Sequence, residues 1–428
     1  MSAIDTTANT DPDSVMIAGA GIVGVSCALW CQRAGLNVTL ADQSPPGSGA
    51  SFGNAGTIAT YGCVPVNSPA LFRSLPKMLT TRHGPLRVDL PFALKNLPWM
   101  MSFLRNCTPA RVRHISDALG DLLSRTYAGL TPLIEQAGAR DLIAAQDFLY
   151  IWEKKASFET TASSIETRRR NGVAMQELNT SDIAALEPGL AKGFHAGVRF
   201  TGGEHVIDPQ AFITRLFKSF TANGGDFIAR NVRAIATDDD GVSVTLEDGT
   251  THRTTRFVNA AGAHARSIAG SAAADLPLGT ERGYHVMYAD AANRVNRPLL
   301  WGEAGFYATP MAKGLRIAGT VEIDALDKPP RKERIDALKM RAEEMLGPLG
   351  PPTSSWLGFR PTMPDALPVI GQSHRSSREL LAFGHQHIGL TLGGITGRII
   401  ADLARNRQPN FDISPFSAER FMAARRRR

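Results

Sequence analysis

The stretch that constrains this chain most is Val15-Met16-Ile17-Ala18 running into Gly19-Ala20-Gly21-Ile22-Val23-Gly24. An apolar, partly β-branched run, then glycines, then Val25 to Ala34 reads as strand, tight turn and helix. Gly35 is a natural helix C-cap, and Asn37 to Asp42 reads as the next strand. The G-x-G-x-x-G therefore stands in the βαβ context that its chemistry needs. Gly19 allows the turn, Gly21 lets backbone approach a pyrophosphate, and Gly24 lets helix and strand pack closely. The helix start, at Ile22 and Val23, offers free N–H groups to an anion. Asp42, 21 residues after Gly21 and followed by Gln43, is placed to accept hydrogen bonds from a ribose. This points to dinucleotide binding.

Composition narrows the rest. Hydrophobic residues make up 43% and charged residues 20%, ordinary for a folded soluble chain of 428 residues, and this excludes wholesale disorder and coiled coil. No apolar run reaches the roughly 18 residues of a spanning helix. The acidic, polar start lacks the basic and apolar regions of a secretory signal, so a cytoplasmic protein is expected. Cys27, Cys31, Cys63 and Cys107 are too few and too irregular for a disulfide framework. Cys27 and Cys31 have no second pair nearby to complete a zinc site, so no metal is expected. The net charge of +7 owes four units to Arg425–Arg428. With 7% aromatics and no recognition motif, nucleic acid is not an expected partner.

Further along, helical stretches occupy residues 66 to 204, including Arg111 to Gln136. A helix is expected over Gln210 to Ala222, then strands at 232–235 and 241–246 with a hairpin turn at Glu247-Asp248-Gly249-Thr250. Phe257 to Ala263 is an apolar run ending in small residues, which permits close approach of a ligand at Ala261 and Gly262.

Four spaced motifs agree on one resemblance. They are G-A-G-I-V-G, A-S-F-G-N-A-G at 50–56, V-N-A-A-G at 258–262 and W-L-G-F-R-P-T-M-P-D-A-L-P-V-I-G at 356–371. Over nearly its whole length the sequence resembles the FAD-dependent D-amino-acid oxidase and dehydrogenase superfamily, and within it the bacterial D-amino-acid dehydrogenases. F-G-H-Q-H-I-G-L-T-L at 383–392 and E-R-G-Y-H at 281–285 look more like the D-hydroxyproline dehydrogenase branch. The resemblance implies an α/β fold, with a Rossmann-like FAD-binding domain and a substrate domain built on a mixed or antiparallel sheet. The expected FAD domain is discontinuous, from 14–65, 206–272 and 355–424; the substrate domain comprises 66–205 and 273–354.

The resemblance also implies site residues. Ser51, Asn54, Ala55 and Gly56 should line the isoalloxazine, Val232 should hold the adenine through its backbone, and Gly389, Leu390 and Thr391 should lie against the pyrimidine. A second helix start near these last three can stabilise charge on a reduced flavin. Arg360, in G-F-R-P, stands where the family places the guanidinium that grips the substrate carboxylate; its planar fork suits both oxygens. Tyr284 is expected as a pocket wall or second carboxylate contact, with a place in the buried core as the alternative. His285 and His387 are expected to hydrogen-bond the substrate or adjust its amine. The implied reaction oxidises a D-amino acid, D-proline or hydroxy-D-proline among the candidates, to its imino acid by hydride transfer to flavin N5. Electrons would pass to a quinone-type acceptor.

The rival readings are an oxygen-using oxidase of glycine or sarcosine type and a non-catalytic flavin-binding subunit of a larger complex. Residues 90–94 and 97–104 are apolar, broken by prolines and flanked by Arg82, Arg87, Lys95 and Arg105. They read either as a buried lid or as a patch for peripheral contact with the inner face of the cytoplasmic membrane.

Overall fold

The run at 14–18 forms the strand Ser14–Ala18, paired in parallel with Asn37–Ala41 on one side and Arg256–Asn259 on the other. The structure is a computed structural model describing residues 13–69, 84 and 86–422, so Arg82 and Arg425–Arg428 lie outside the described residues. Asp226–Ile228 and Glu379–Phe383 extend this sheet in parallel, and Val369–Gln372 closes one edge antiparallel, giving six strands. Alternation sorts the central strand between two cores. Val15 and Ile17 meet the helices Ile22–Arg33 and Gly389–Ala404, while Met16 and Ala18 face a three-stranded antiparallel sheet, Val232–Thr237, Val242–Leu246 and Thr251–Thr254. A strand buried on both faces must read as an unbroken apolar run, which is why 15–18 does.

Backbone at the first turn is held by two glycines. Gly19 has φ of +102°, and a Cβ there would lie 2.5 Å from the Ala260 carbonyl oxygen. A Cβ on Gly24 would lie 1.8 Å from the Gly19 carbonyl oxygen, so helix and turn touch directly.

The second sheet has nine strands. Its order runs Ser354–Thr362, Gly279–Tyr288, Gly314–Ile323, Phe306–Met311, Leu299–Trp301, Phe148–Trp152, Ala196–Phe200 and Met175–Asn179, with Leu86–Val88 paired to Gly314–Ile323. Its two faces differ in chemistry. Tyr284, Val286, Leu315, Ile317, Phe306 and Leu338 share one apolar core, with Leu338 contributed by the helix Lys332–Leu346 behind the sheet. The alternate residues, among them Glu281, His285, Arg316 and Tyr307, turn to the front, towards the first sheet's loops.

Two segments pair differently from the sequence expectation. Residues 355–362, assigned by sequence to the FAD lobe, belong to the edge strand of the nine-stranded sheet and pair with residues 279–286. The helices Pro109–Ser124 and Thr126–Gln136, assigned to the substrate lobe, bury Ile115, Leu122, Leu130 and Leu133 in the core of the first sheet. Both reversals come from long-range pairing that local pattern does not encode. The candidate lid at 90–104 forms the helices Leu90–Lys95 and Leu97–Arg105, and neither has a buried residue.

Behind the nine-stranded sheet lies a buried ionic cluster. Glu322, fully buried, pairs with Arg282 at 3.2 Å and with Arg331, and it accepts from the Tyr284 hydroxyl at 2.5 Å. Removing one partner of a buried pair strands the other, at about 3–5 kcal/mol. Glu322→Ala should therefore lose about 3–5 kcal/mol in urea unfolding, and Glu322→Gln less. A loss under about 1 kcal/mol would show that the carbonyl oxygens around Arg282 suffice to hold it.

Candidate active site between the two sheets

The first sheet's strand ends and the front of the second sheet enclose a cavity of about 510 Å³. Gly19, Gly21, Ile22 and Val23 form its floor, with Asp42 and Gln43 beside them. Ser51 and Asn54 line the facing loop, Val232, Ala261 and Gly262 line one end, and Gly389 and Leu390 the other. The sequence-derived cofactor set thus largely converges. Asp42 accepts from Ala20 N at 2.8 Å and Ser44 N at 2.9 Å, so it braces the glycine turn while facing the cavity. Ser51 Oγ accepts from Ile22 N at 3.1 Å, tying the 51–54 loop to the helix start.

Gly24 makes the close packing contact expected of it, while three expected cofactor contacts have other neighbours. Gly24 packs on Gly19, as the close helix–strand approach requires. The Gly56 backbone abuts the Val206 carbonyl, where a Cβ would stand 2.5 Å away, and Ala55, next to it, is not on the cavity wall. Thr391 Oγ1 accepts from Ala59 N at 2.9 Å, so its hydroxyl secures the 57–60 segment and does not face the cavity.

Cross-strand register assembles the chemistry. Arg360 stands opposite Glu281, Gly358 opposite Gly283, and Trp356 opposite His285. The Arg360 guanidinium lies over Gly283, where a Cβ would come within 2.3 Å of Nη2, and Nη1 donates to the Thr320 carbonyl at 3.1 Å. Thr320 presents that carbonyl from a left-handed conformation, φ +60°, at an irregularity in the pairing with Gly279–Tyr288. Such strain in a β-branched residue persists only where the surroundings impose it. Burial pushes Glu281 above the usual carboxylate range, with the Arg360 charge opposing.

Tyr284 is a correction. In a strand, neighbours point to opposite faces, and Tyr284 points backward, bonded to Glu322 and accepting from Arg331 N at 3.2 Å. It belongs to the ionic cluster and is no wall of the pocket. His285 does reach the front, where its ring stacks on Trp356 at 5.2 Å and 20° and Nδ1 meets the Gly53 carbonyl at 3.4 Å. Burial, helped by Arg316, pushes His285 down to about 3; burial and then Arg360 push His387 down to about 4. Both rings are neutral at pH 7. They can exchange hydrogen bonds but cannot hold a proton there, so the expected adjustment of the substrate amine does not come from a protonated histidine.

Several front-face residues escaped the sequence reading. Trp356 lines the cavity and folds against Gly53 and Gly358, each of whose Cβ would fall 1.8 Å from its ring. Arg316, buried, donates to the carbonyls of Phe52 at 3.0 Å and Asn54 at 2.6 Å and so holds the 52–54 loop to the sheet. Tyr307 and Tyr150 join hydroxyls at 2.5 Å, and Tyr150 meets the Tyr61 ring edge-on. On the row between His285 and Tyr307 stands Ala318, a small side chain between two polar rings. Period-two alternation over 279–288 would have separated His285 from Tyr284; the Trp356–Gly53 fit has no local signal.

The residues present fit a dinucleotide bearing a ring system. The helix start faces the cavity. Gln386 also lines its wall, with a buried Nε2 that has no hydrogen-bond partner among the described residues. An unpaired buried donor is costly unless a ligand meets it.

Comparison with known proteins agrees. The family model described as FAD dependent oxidoreductase matches residues 14–403. A D-amino-acid oxidase of Bradyrhizobium diazoefficiens is 35% identical over 421 residues, covering 95% of this chain and 99% of that protein. Glycine oxidase from Geobacillus kaustophilus superposes with a TM-score of 0.72 at 21% identity, covering 95% and 97% of the two chains. L-proline dehydrogenase from P. horikoshii gives 0.72 at 18%, covering 96% and 98%. These two structures speak for the fold alone. With the glycine turn, Asp42 and the small-residue strand end all facing one cavity, the chain belongs to the FAD dependent oxidoreductase family, and FAD is its cofactor.

Proposed function

We propose that the chain oxidises a D-amino acid, with D-proline or hydroxy-D-proline as the substrate class, to the imino acid and passes the electrons to a quinone-type acceptor at the inner face of the cytoplasmic membrane. The observation that carries the reading is Arg360, fixed over Gly283 by the Thr320 carbonyl beside the cofactor cavity. The relative named D-amino-acid oxidase supports the D configuration. Bound FAD supplies a hydride acceptor at N5. Arg360 binds the substrate carboxylate through the guanidinium edge that Thr320 leaves free, and so fixes where Cα–H points. Trp356 and the Ser51–Asn54 loop, anchored by Arg316, exclude water from that point. The neutral His285 and His387 rings orient the nitrogen by hydrogen bonding. The nearby Arg360 charge favours the unprotonated amine, the form that can be oxidised. An oxygen-using oxidase is the second reading, favoured by the same relative's name, and peroxide release in air separates the two.

The test is kcat/KM for D-proline and for pyrrolidine, which lacks the carboxylate. Arg360→Met should retain FAD and lose about 30- to several-thousand-fold on D-proline, the cost of about 2–5 kcal/mol for stranding a charge. Arg360→Lys should recover part of this, and pyrrolidine should be nearly indifferent. Equal losses on both substrates would place the carboxylate clamp elsewhere.

A pH profile tests the neutral histidines. Because their pKa values are depressed to about 3 and about 4, both rings are neutral from pH 6 upward and neither titrates between pH 6 and 9. The rising limb of kcat/KM should follow the substrate amine and persist in His285→Asn and His387→Asn. A limb near pH 6.5 that either substitution abolishes would contradict this.

A further inference from the structure

From residue 90 to residue 105, 12 of 16 side chains are apolar, yet neither helix of the segment buries a residue. Among the described residues six large hydrophobics are exposed, and four lie here: Leu90 at 65%, Leu94 at 72%, Leu97 at 51% and Met101 at 44%. Leu90 and Leu94 are four apart on the first helix, and Leu97 and Met101 four apart on the second, so each pair shares one helix face. The opposite side is anchored. Trp99 stacks on Phe103 at 5.5 Å and presses on Gly279, where a Cβ would come within 2.7 Å of its ring. The segment is thus fastened to the start of the strand that carries Glu281 and His285, with four large aliphatic side chains turned outward.

Charge identifies the occupant. Between residues 90 and 116 there is no Asp or Glu, while Lys95, Arg105, Arg111 and Arg113 are all exposed. The preceding acid, Asp89, is held by Lys328 at 3.2 Å and Arg331 at 3.3 Å. An exposed aliphatic surface whose unpaired ionic neighbours along the chain are cationic matches a lipid bilayer with anionic headgroups.

We propose that Leu90, Leu94, Leu97 and Met101 insert into the surface of an anionic bilayer, with Lys95 and Arg105 on its headgroups. This deepens the acceptor reading by naming the surface that carries it, and its test reads attachment, not turnover. Full-length holoenzyme is floated with vesicles of phosphatidylcholine alone and of phosphatidylcholine mixed with phosphatidylglycerol. The protein should float with the anionic vesicles, and salt should weaken this. Each basic side chain near such a surface strengthens attachment about fivefold, so Lys95→Glu with Arg105→Glu should weaken it at least about 25-fold. Leu94→Glu with Leu97→Glu should abolish flotation, while both double variants oxidise D-proline with a soluble dye as the parent does. Failure to float, or equal flotation of parent and variants, would overturn the proposal. So would a lipid-free dimer that the leucine variants dissolve, which would assign the face to a second copy of the chain. Flotation without any D-amino-acid turnover would leave this surface standing and remove the substrate reading instead.

Discussion

The register between Gly279–Tyr288 and Ser354–Thr362 governs everything the second sheet does. It sets Glu281 against Arg360, Gly283 against Gly358 and His285 against Trp356 in one front-facing row. Side chains alternate with period two, so a slip of one residue would turn Arg360 towards the apolar core. The back of the sheet prevents that slip. Tyr284, Val286, Leu315 and Ile317 fill a core against the helix behind, and Arg282 finds Glu322 only in this register. Stability on one face thus specifies chemistry on the other.

The two sheets divide the work. The first offers backbone: the turn at Gly19–Gly24, the brace of Asp42 and the small residues at Ala261 and Gly262 leave room for a dinucleotide along the strand ends. The second offers side chains, with the small Ala318 between His285 and Tyr307 in the front row. Arg316 joins them, spending its charge on the Phe52 and Asn54 carbonyls so that the cofactor loop is held from the substrate side.

What the sequence disclosed follows from distance along the chain. The dinucleotide turn was legible because strand, glycines, helix and Asp42 all fall within 29 residues and each obeys a local rule. Arg360 was legible through its motif. Adjacency in sequence makes Tyr284 and His285 look alike as pocket residues, because it hides that neighbours on a strand face opposite ways. Trp356 was missed, since the room it fills is made by Gly53, some 300 residues away. The pairing of 354–362 with the second sheet and the packing of the 109–136 helices on the first share that cause: both depend on partners that come from another part of the chain.

The central claim is that one cavity joins FAD to a carboxylate clamp for D-amino acids. An anaerobic titration of the purified flavoprotein tests it most directly, following flavin absorbance across matched D- and L-amino acids and their amides. The account predicts bleaching by D-amino acids, D-proline and hydroxy-D-proline foremost, and little by the L forms or the amides. A flavin that stays oxidised with every amino acid, or that bleaches equally with D-proline and its amide, would contradict it.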